Sequence, residues 1–324
     1  MSAKGAFFRQ KQSWSQIKDD LLSAYLTPYL AKMAYRRNPI LVADCFAGKG
    51  RFDDGEPGSP ELIYSAIEDQ KERSPQAVIK LVCIERQYYA ELVQNMSDKE
   101  TVTCLDGDYE ERMAYFLTQY DPRGQDLLLY VDPYGIKSIR FSHFDAVSNK
   151  GFGSVELLLN LNTFGFLREG CRLLKNSALR EADEEEDAPV YEPDVNSIQL
   201  LDEIAGGDFW QAIIDQYYAR NTTFREAEAR FSAGYCERLK GVFAYSLSMP
   251  IKTKISNIPK YRIVYGTNHP HGLILMSDNM FRRWQEFKEC DRKGQMVLFD
   301  LDYPETLVET SSAALKQAIV ECAA

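Results

Sequence analysis

A doubly wound, mostly parallel α/β sheet is the fold class this sequence predicts, and three observations predict it. Short, almost continuously apolar runs recur through the first half of the chain. A stretch of helical periodicity separates each run from the next. The first run, Ile40 to Ala43, ends at Asp44 and enters a turn containing Gly48 and Gly50. Strands buried on both faces lose the polar alternation of a one-sided sheet, so this rhythm reads as successive βαβ units.

Taken in order, residues 13–37 read as an amphipathic helix with Ser13 or Ser15 as N-cap and an interruption at Pro28. Strands follow at 40–44, 77–85, 101–105, 126–132 and 154–161, with helical patterns at 61–73, 87–97, 109–119 and 140–149. After Leu161 the rhythm changes. Residues 163–243 carry helical patterns and no strand, and read as a helical insertion or cap on the sheet. Two strands at 245–251 and 260–267, joined through Asn257 and Pro259, are expected to pair antiparallel at the sheet edge. A helix over 272–290 and a short strand over 296–301 follow. The expected organisation is an N-terminal helical segment (1–38), a sheet domain built from 39–162 and 244–304, and the insertion 163–243.

Composition narrows the function classes. With 324 residues and 45% apolar content, the chain can bury a sizeable core. No apolar stretch reaches the roughly 18 residues of a membrane span, and the first residues resemble no secretory signal. Seven cysteines without a C-x-x-C pair fit reduced thiols in a cytoplasmic protein. Three histidines without ligand spacing argue against a structural zinc site. The net charge of −10 excludes a uniformly basic surface, and six acids between Glu181 and Asp187 read as a solvated loop. Local basic groups remain at Lys32, Arg36 and Arg37, at Lys49 and Arg51, at Lys252, Lys254, Lys260 and Arg262, and at Arg282, Arg283, Arg292 and Lys293. Convergence of these on one face would keep nucleic acid as a candidate partner.

The chemistry concentrates at predicted strand ends. Ligands of open α/β sheets bind at the carboxyl ends of the strands, and the Phe46-Ala47-Gly48-Lys49-Gly50 turn lies there. Asp44 stands where a dinucleotide site usually has another glycine, which favours a cationic, amino-acid-bearing ligand such as S-adenosylmethionine. Glu85 ends the second strand and can accept hydrogen bonds from ribose hydroxyls; a helix-capping role is its structural alternative. Asp106 and Asp108 flank Gly107 at the end of the third, where a carboxylate can hold an adenine amino group or simply make a turn. The fourth strand delivers Asp132, Pro133 and Tyr134. Asp132 and the Pro133 carbonyl can accept N–H groups from an amine, and Tyr134 can stack on an extruded base. Lys49 and Arg51 are candidates for phosphate contact, with a solvated role as alternative, and Ser59 for shaping the mouth of the site.

These motifs resemble class I S-adenosylmethionine-dependent methyltransferases, and more specifically the bacterial three-Cys-motif partner proteins. The likeness rests on FAGKGRFDDGEPGSP at 46–60, CIERQ at 83–87, YVDPYGIK at 130–137, VELLLNL at 155–161 and YRIVYGTNHPHG at 261–272. The resemblance implies a Rossmann-like methyltransferase sheet and a genomic or physical partner carrying a radical-enzyme-like three-cysteine motif; the family's genomic company, rather than any residue here, suggests a host-defence setting. It further implies that Asp44, Phe46, Ala47, Gly48 and Gly50 surround the methionine part of the cofactor, Glu85 its ribose, and Asp106 or Asp108 its adenine. Asp132-Pro133-Tyr134 resembles the D-P-P-Y motif of adenine N6 methyltransferases, with the second proline missing. Three function classes stay open: an amino-group methyltransferase acting on nucleic acid, a cofactor-binding or structural partner subunit, and a nicotinamide-linked oxidoreductase, which Asp44 and the Asp132 strand end disfavour.

Overall fold

Seven strands hydrogen-bond into one sheet in the computed structural model, which describes residues 13–119, 121–175, 195–252 and 254–292. They are β1 (Ile40–Asp44), β2 (Ile79–Glu85), β3 (Val102–Asp106), β4 (Asp126–Val131), β5 (Ser154–Leu161), β6 (Tyr245–Ile251) and β7 (Tyr261–Thr267). Their order across the sheet is β3-β2-β1-β4-β5-β7-β6. Strands β1 to β5 are parallel, and β7 runs antiparallel to both β5 and β6. This is the doubly wound, mostly parallel sheet expected from the sequence, with the antiparallel pair at its edge. The chain winds outward from β1 to β3, then from β4 in the opposite direction. The topological switch point therefore lies between β1 and β4.

Helices cover both faces: α1 (Ser13–Tyr35), α2 (Ser59–Arg73), α3 (Tyr89–Met96), α4 (Tyr109–Gln119), α5 (Phe141–Ser148), α6 (Thr163–Lys175), α7 (Ile198–Ala205), α8 (Phe209–Tyr218), α9 (Phe224–Leu239) and α10 (Pro270–Arg292). Local signals fix several ends. Pro60 and Pro270 sit in first turns, where a missing N–H costs nothing. Thr223 and Glu226 close a capping box on α9. No helix among the described residues is long and apolar enough to cross a membrane.

The strand period of two sorts the core into two layers. Leu41, Ala43, Leu127, Leu129, Leu157 and Leu159 face α4 to α9. Ile40, Val42, Leu81, Leu128, Tyr130 and Leu158 face α1, α2, α3 and α10. Helices α6 to α9 thus form part of one covering layer, with Trp210, Phe231 and Tyr235 fully buried. The acidic run at 181–187 and the strand expected at 296–301 lie outside the described residues.

Helix α1 corrects two expectations. It runs unbroken through Pro28, because Leu21, Leu22, Tyr25, Leu26, Tyr29, Leu30 and Met33 pack against the sheet on both sides of the proline. Ser15 lies inside the helix, buried, rather than capping it. The helix descends antiparallel to β4 and β5. Arg36 meets the Gly153 carbonyl and the buried Asp126 at the amino end of those strands. Midway, the Tyr25 hydroxyl donates to Glu156 and lies 2.7 Å from the Tyr265 hydroxyl.

Burial raises the Glu156 carboxyl from its ordinary 4.5 to about 7, against the pull of Tyr25 and Tyr265. The folded protein holds a proton that the unfolded chain releases, so this stabilisation is full below about pH 4.5 and is lost as pH rises through about 7. Glu156→Gln, neutral throughout, is expected to flatten the stability profile across that window. Thermal unfolding of both proteins as a function of pH checks this; parallel profiles would exclude Glu156 as the source.

Candidate cofactor and amine site

The turn after β1 is fastened on both sides of the switch point. The Cys45 N–H donates to the Tyr130 carbonyl at 2.9 Å and the Ala47 N–H to the Ile84 carbonyl at 3.0 Å. Gly48 and Gly50 take φ of 58° and 80°, a left-handed backbone that favours glycine. Gly58 seals the loop from below. Its N–H reaches the Gly50 carbonyl at 3.0 Å, and a Cβ there would stand 2.8 Å from that oxygen. The glycines thus serve a close backbone crossing as well as the turn.

Asp44 lies buried under this turn, accepting the Phe46 N–H at 3.3 Å. Its Oδ2 has no partner of hydrogen-bonding geometry among the described residues. Desolvation pushes its carboxyl up to about 7, although the Ser59 hydroxyl and the Phe46 amide pull it back. Asp132 and Glu85 add repulsion, which places both carboxylates within electrostatic reach of Asp44. A cation seated above the turn would favour the ionised form.

Glu85 closes the turn from β2. It accepts the Gly48 N–H at 2.9 Å through one oxygen, and the Gln87 and Tyr88 N–H groups at 2.6 and 3.0 Å through the other. A carboxylate offers about four lone-pair sites, so one remains for a ligand hydroxyl. Asp106 is exposed at the end of β3 beside it. Asp108 is paired through both oxygens with Arg86 at 2.9 Å. Phe46 packs at a tilt on buried Tyr109, with ring centroids 5.4 Å apart.

Asp132 follows β4, on the far side of the switch point from Glu85. Its Oδ2 receives the Lys18 ammonium at 2.5 Å, and its Oδ1 the Asn160 Nδ2 at 2.6 Å. The Lys18 side chain is 8% exposed and that of Asp132 22%. Lys18 also stands 5.8 Å from the centre of the Tyr261 ring. Pro133 is buried, whereas Tyr134 is 63% exposed. Tyr134 lies close enough to Tyr88 and Tyr261 to influence both hydroxyls.

Several of the basic groups singled out in the sequence are held by partners within the chain; Lys293 lies outside the described residues. Lys49 pairs with Asp53 at 2.7 Å and Arg51 with Glu61 at 2.7 Å. Arg262 forms a two-pronged pair with buried Glu228, and Lys252 is buried with its ammonium on the Ile255 carbonyl. Arg282 and Arg283 pair with Asp278 and Glu286.

Sequence reasoning missed Lys18, Asn160 and Tyr261. A signal existed for one of them: Glu156 and Asn160 interrupt the apolar run of β5 at the same phase, marking polar work on one face.

No protein-family model and no curated protein matches the chain. Among solved structures it is similar to a candidate methyltransferase, yhhF, from Escherichia coli (14% identity over 37% of this chain and 57% of that one, TM-score 0.25). Spermidine synthase from Thermotoga maritima is similar at 8% identity over 82% of this chain and 63% of that one, with a TM-score of 0.37. A candidate caffeoyl-CoA O-methyltransferase from Staphylococcus aureus is similar at 10% identity over 74% and 81%, with a TM-score of 0.32. The chain covers less than two thirds of the first two structures. Likeness this distant carries no argument about chemistry.

Glu85→Ala removes the acceptor for three backbone N–H groups around the turn. The expected cost is about 2 kcal/mol, taken as part of the usual worth of charge-assisted hydrogen bonds at a half-exposed site. Urea unfolding measures it, and a variant as stable as the parent would show that the turn closes without this carboxylate.

Proposed function

We propose that this chain is an S-adenosylmethionine-dependent methyltransferase acting on an amino nitrogen, with adenine N6 of a nucleic acid as the leading acceptor. One observation carries the reading. At the switch point, a glycine turn over buried Asp44 stands beside Asp132, on the same edge and the same face of the sheet. The residues fit such a donor: the Gly50–Gly58 crossing lets backbone approach a ligand closely, and Asp44 Oδ2 has no hydrogen-bond partner among the described residues. Phe46, Ala47, Gly48 and Gly50 would line the methionine moiety. Glu85 would hold the ribose and Asp106 the adenine, since Asp108 is committed to Arg86.

Bound there, S-adenosylmethionine supplies an electrophilic methyl group. Asp132 would accept an N–H from the acceptor and fix its lone pair toward that methyl. Asn160 orients Asp132, and exposed Tyr134 offers a face for a base. Rate enhancement in this arrangement comes from proximity and orientation rather than from a strong base.

A second reading is a cofactor-binding partner subunit without transfer of its own, working with a three-Cys-motif protein in the cytoplasm. Both oxygens of Asp132 are already bonded within the chain, which favours it.

Two measurements test the proposal. Calorimetric titration with S-adenosylmethionine is expected to give one saturable site, lost in Gly48→Arg. Affinity should rise with pH through about 7, with proton release, because a cationic ligand binds best to ionised Asp44. Affinity that is flat with pH would remove Asp44 from the site. Separately, Asp132→Asn is expected to bind the donor but transfer no methyl group to adenine-containing oligonucleotides; persistent transfer would refute the positioning role.

A further inference from the structure

We infer that the first amine this site can methylate is its own: Lys18 Nζ, held in cis at Asp132. The inference rests on the methyl-donor reading above and narrows its acceptor.

Three observations converge on it. First, Lys18 is the amine already seated at the candidate catalytic acid, at 2.5 Å from Asp132 Oδ2. A long cationic side chain ordinarily keeps its head in water. This one is 8% exposed and turned inward from α1.

Second, the surroundings suit a primary amine. Asn160 must direct its Nδ2 at Asp132, because two facing acceptors would repel. That orientation leaves Asn160 Oδ1 buried, with no partner among the described residues. The Asp132 carboxylate and the Tyr261 ring together offer an acceptor and an aromatic face to one nitrogen.

Third, the seat is tethered. A covalently held amine competes with any dissolved acceptor at an effective concentration of roughly millimolar or more. An external amine must therefore displace Lys18 before reaching Asp132.

The step balances without a further reagent. Lys18 Nζ gives one proton to solvent by way of Asp132. Its lone pair then forms the N–C bond while the methyl–sulfur bond breaks. The sulfonium donor leaves as a neutral thioether, and the positive charge returns to Nζ as a methylammonium.

The test has two arms on the full chain. Without any methyl donor, acetic anhydride labelling read by peptide mass spectrometry should modify Lys18 several-fold more slowly than exposed Lys254. Asp132→Asn should abolish that protection. Equal labelling of the two lysines in the parent would overturn the seat. With S-adenosylmethionine, mapping should place added methyl on Lys18, at a rate independent of protein concentration, and Lys18→Arg should lose it. Calorimetry on the same preparation separates the failures. Donor binding with Lys18 unmodified overturns this inference and leaves the methyltransferase reading standing. Absence of donor binding overturns both. Methyl groups mapped elsewhere, or a rate that scales with protein concentration, overturn the assignment to Lys18 in cis.

Discussion

The phase of β4 and β5 is the constraint on which the rest of the structure depends. Asp132, Glu156 and Asn160 share one parity with Leu128, Tyr130 and Leu158, so all point toward α1. Asp44 and Glu85 hold the same parity on β1 and β2. A slip of one residue in any of these strands would send its polar group into the opposite apolar layer. Helix α1 and the turn that follows it answer with Lys18, Tyr25 and Arg36, spaced seven and eleven residues apart, or about two and three helical turns. One stripe of the helix therefore meets Asp132 at the carboxyl edge, Glu156 midway and Asp126 at the amino edge.

These contacts divide labour with the apolar layers. Buried ion pairs contribute little net stability compared with well-packed apolar residues, but breaking one by removing a partner is costly. Free energy comes chiefly from the leucines and aromatic rings on either face. Position comes from the polar ladder. A shift of α1 by one turn would leave Lys18, Glu156 and Asp126 each without its partner. The same ladder that fixes the helix thus delivers an amine to the edge where the candidate chemistry lies.

Much of this was legible in the sequence, and the division follows range of interaction. Apolar runs and helical periods are local, so the parallel strands, the antiparallel pair and the helices between them follow from pattern alone. The Gly48–Gly50 turn, Glu85 and the Asp132 strand end are local too, since each is a strand terminus. Long-range pairing is what pattern does not carry. Lys18 reads as one polar residue on an amphipathic helix until α1 is laid across β4, 114 residues away in the chain. Arg262 reads as part of a basic cluster until Glu228 takes both prongs of it. Pro28 reads as a break because propensity is local, whereas the packing that overrides it is not.

The two acids flanking the switch point differ in one respect that bears on turnover. Asp132 has a counter-charge in Lys18, whereas buried Asp44 has no ion-pair partner among the described residues. On the proposed reading a cationic ligand would be drawn to the Asp44 side, where it would relieve an unfavourable burial. An amine reaches the Asp132 side only by replacing a cation already there. On the proposed reaction, transfer converts a sulfonium into a neutral thioether beside Asp44. The attraction that favours donor binding is weakened by the chemistry itself, which assists release of the spent donor. Where Lys18 is the acceptor, its methylated nitrogen remains cationic beside Asp132, so that side holds its product while the donor side lets go. Exchange of the donor ahead of the amine is the order of events that this asymmetry of charge dictates.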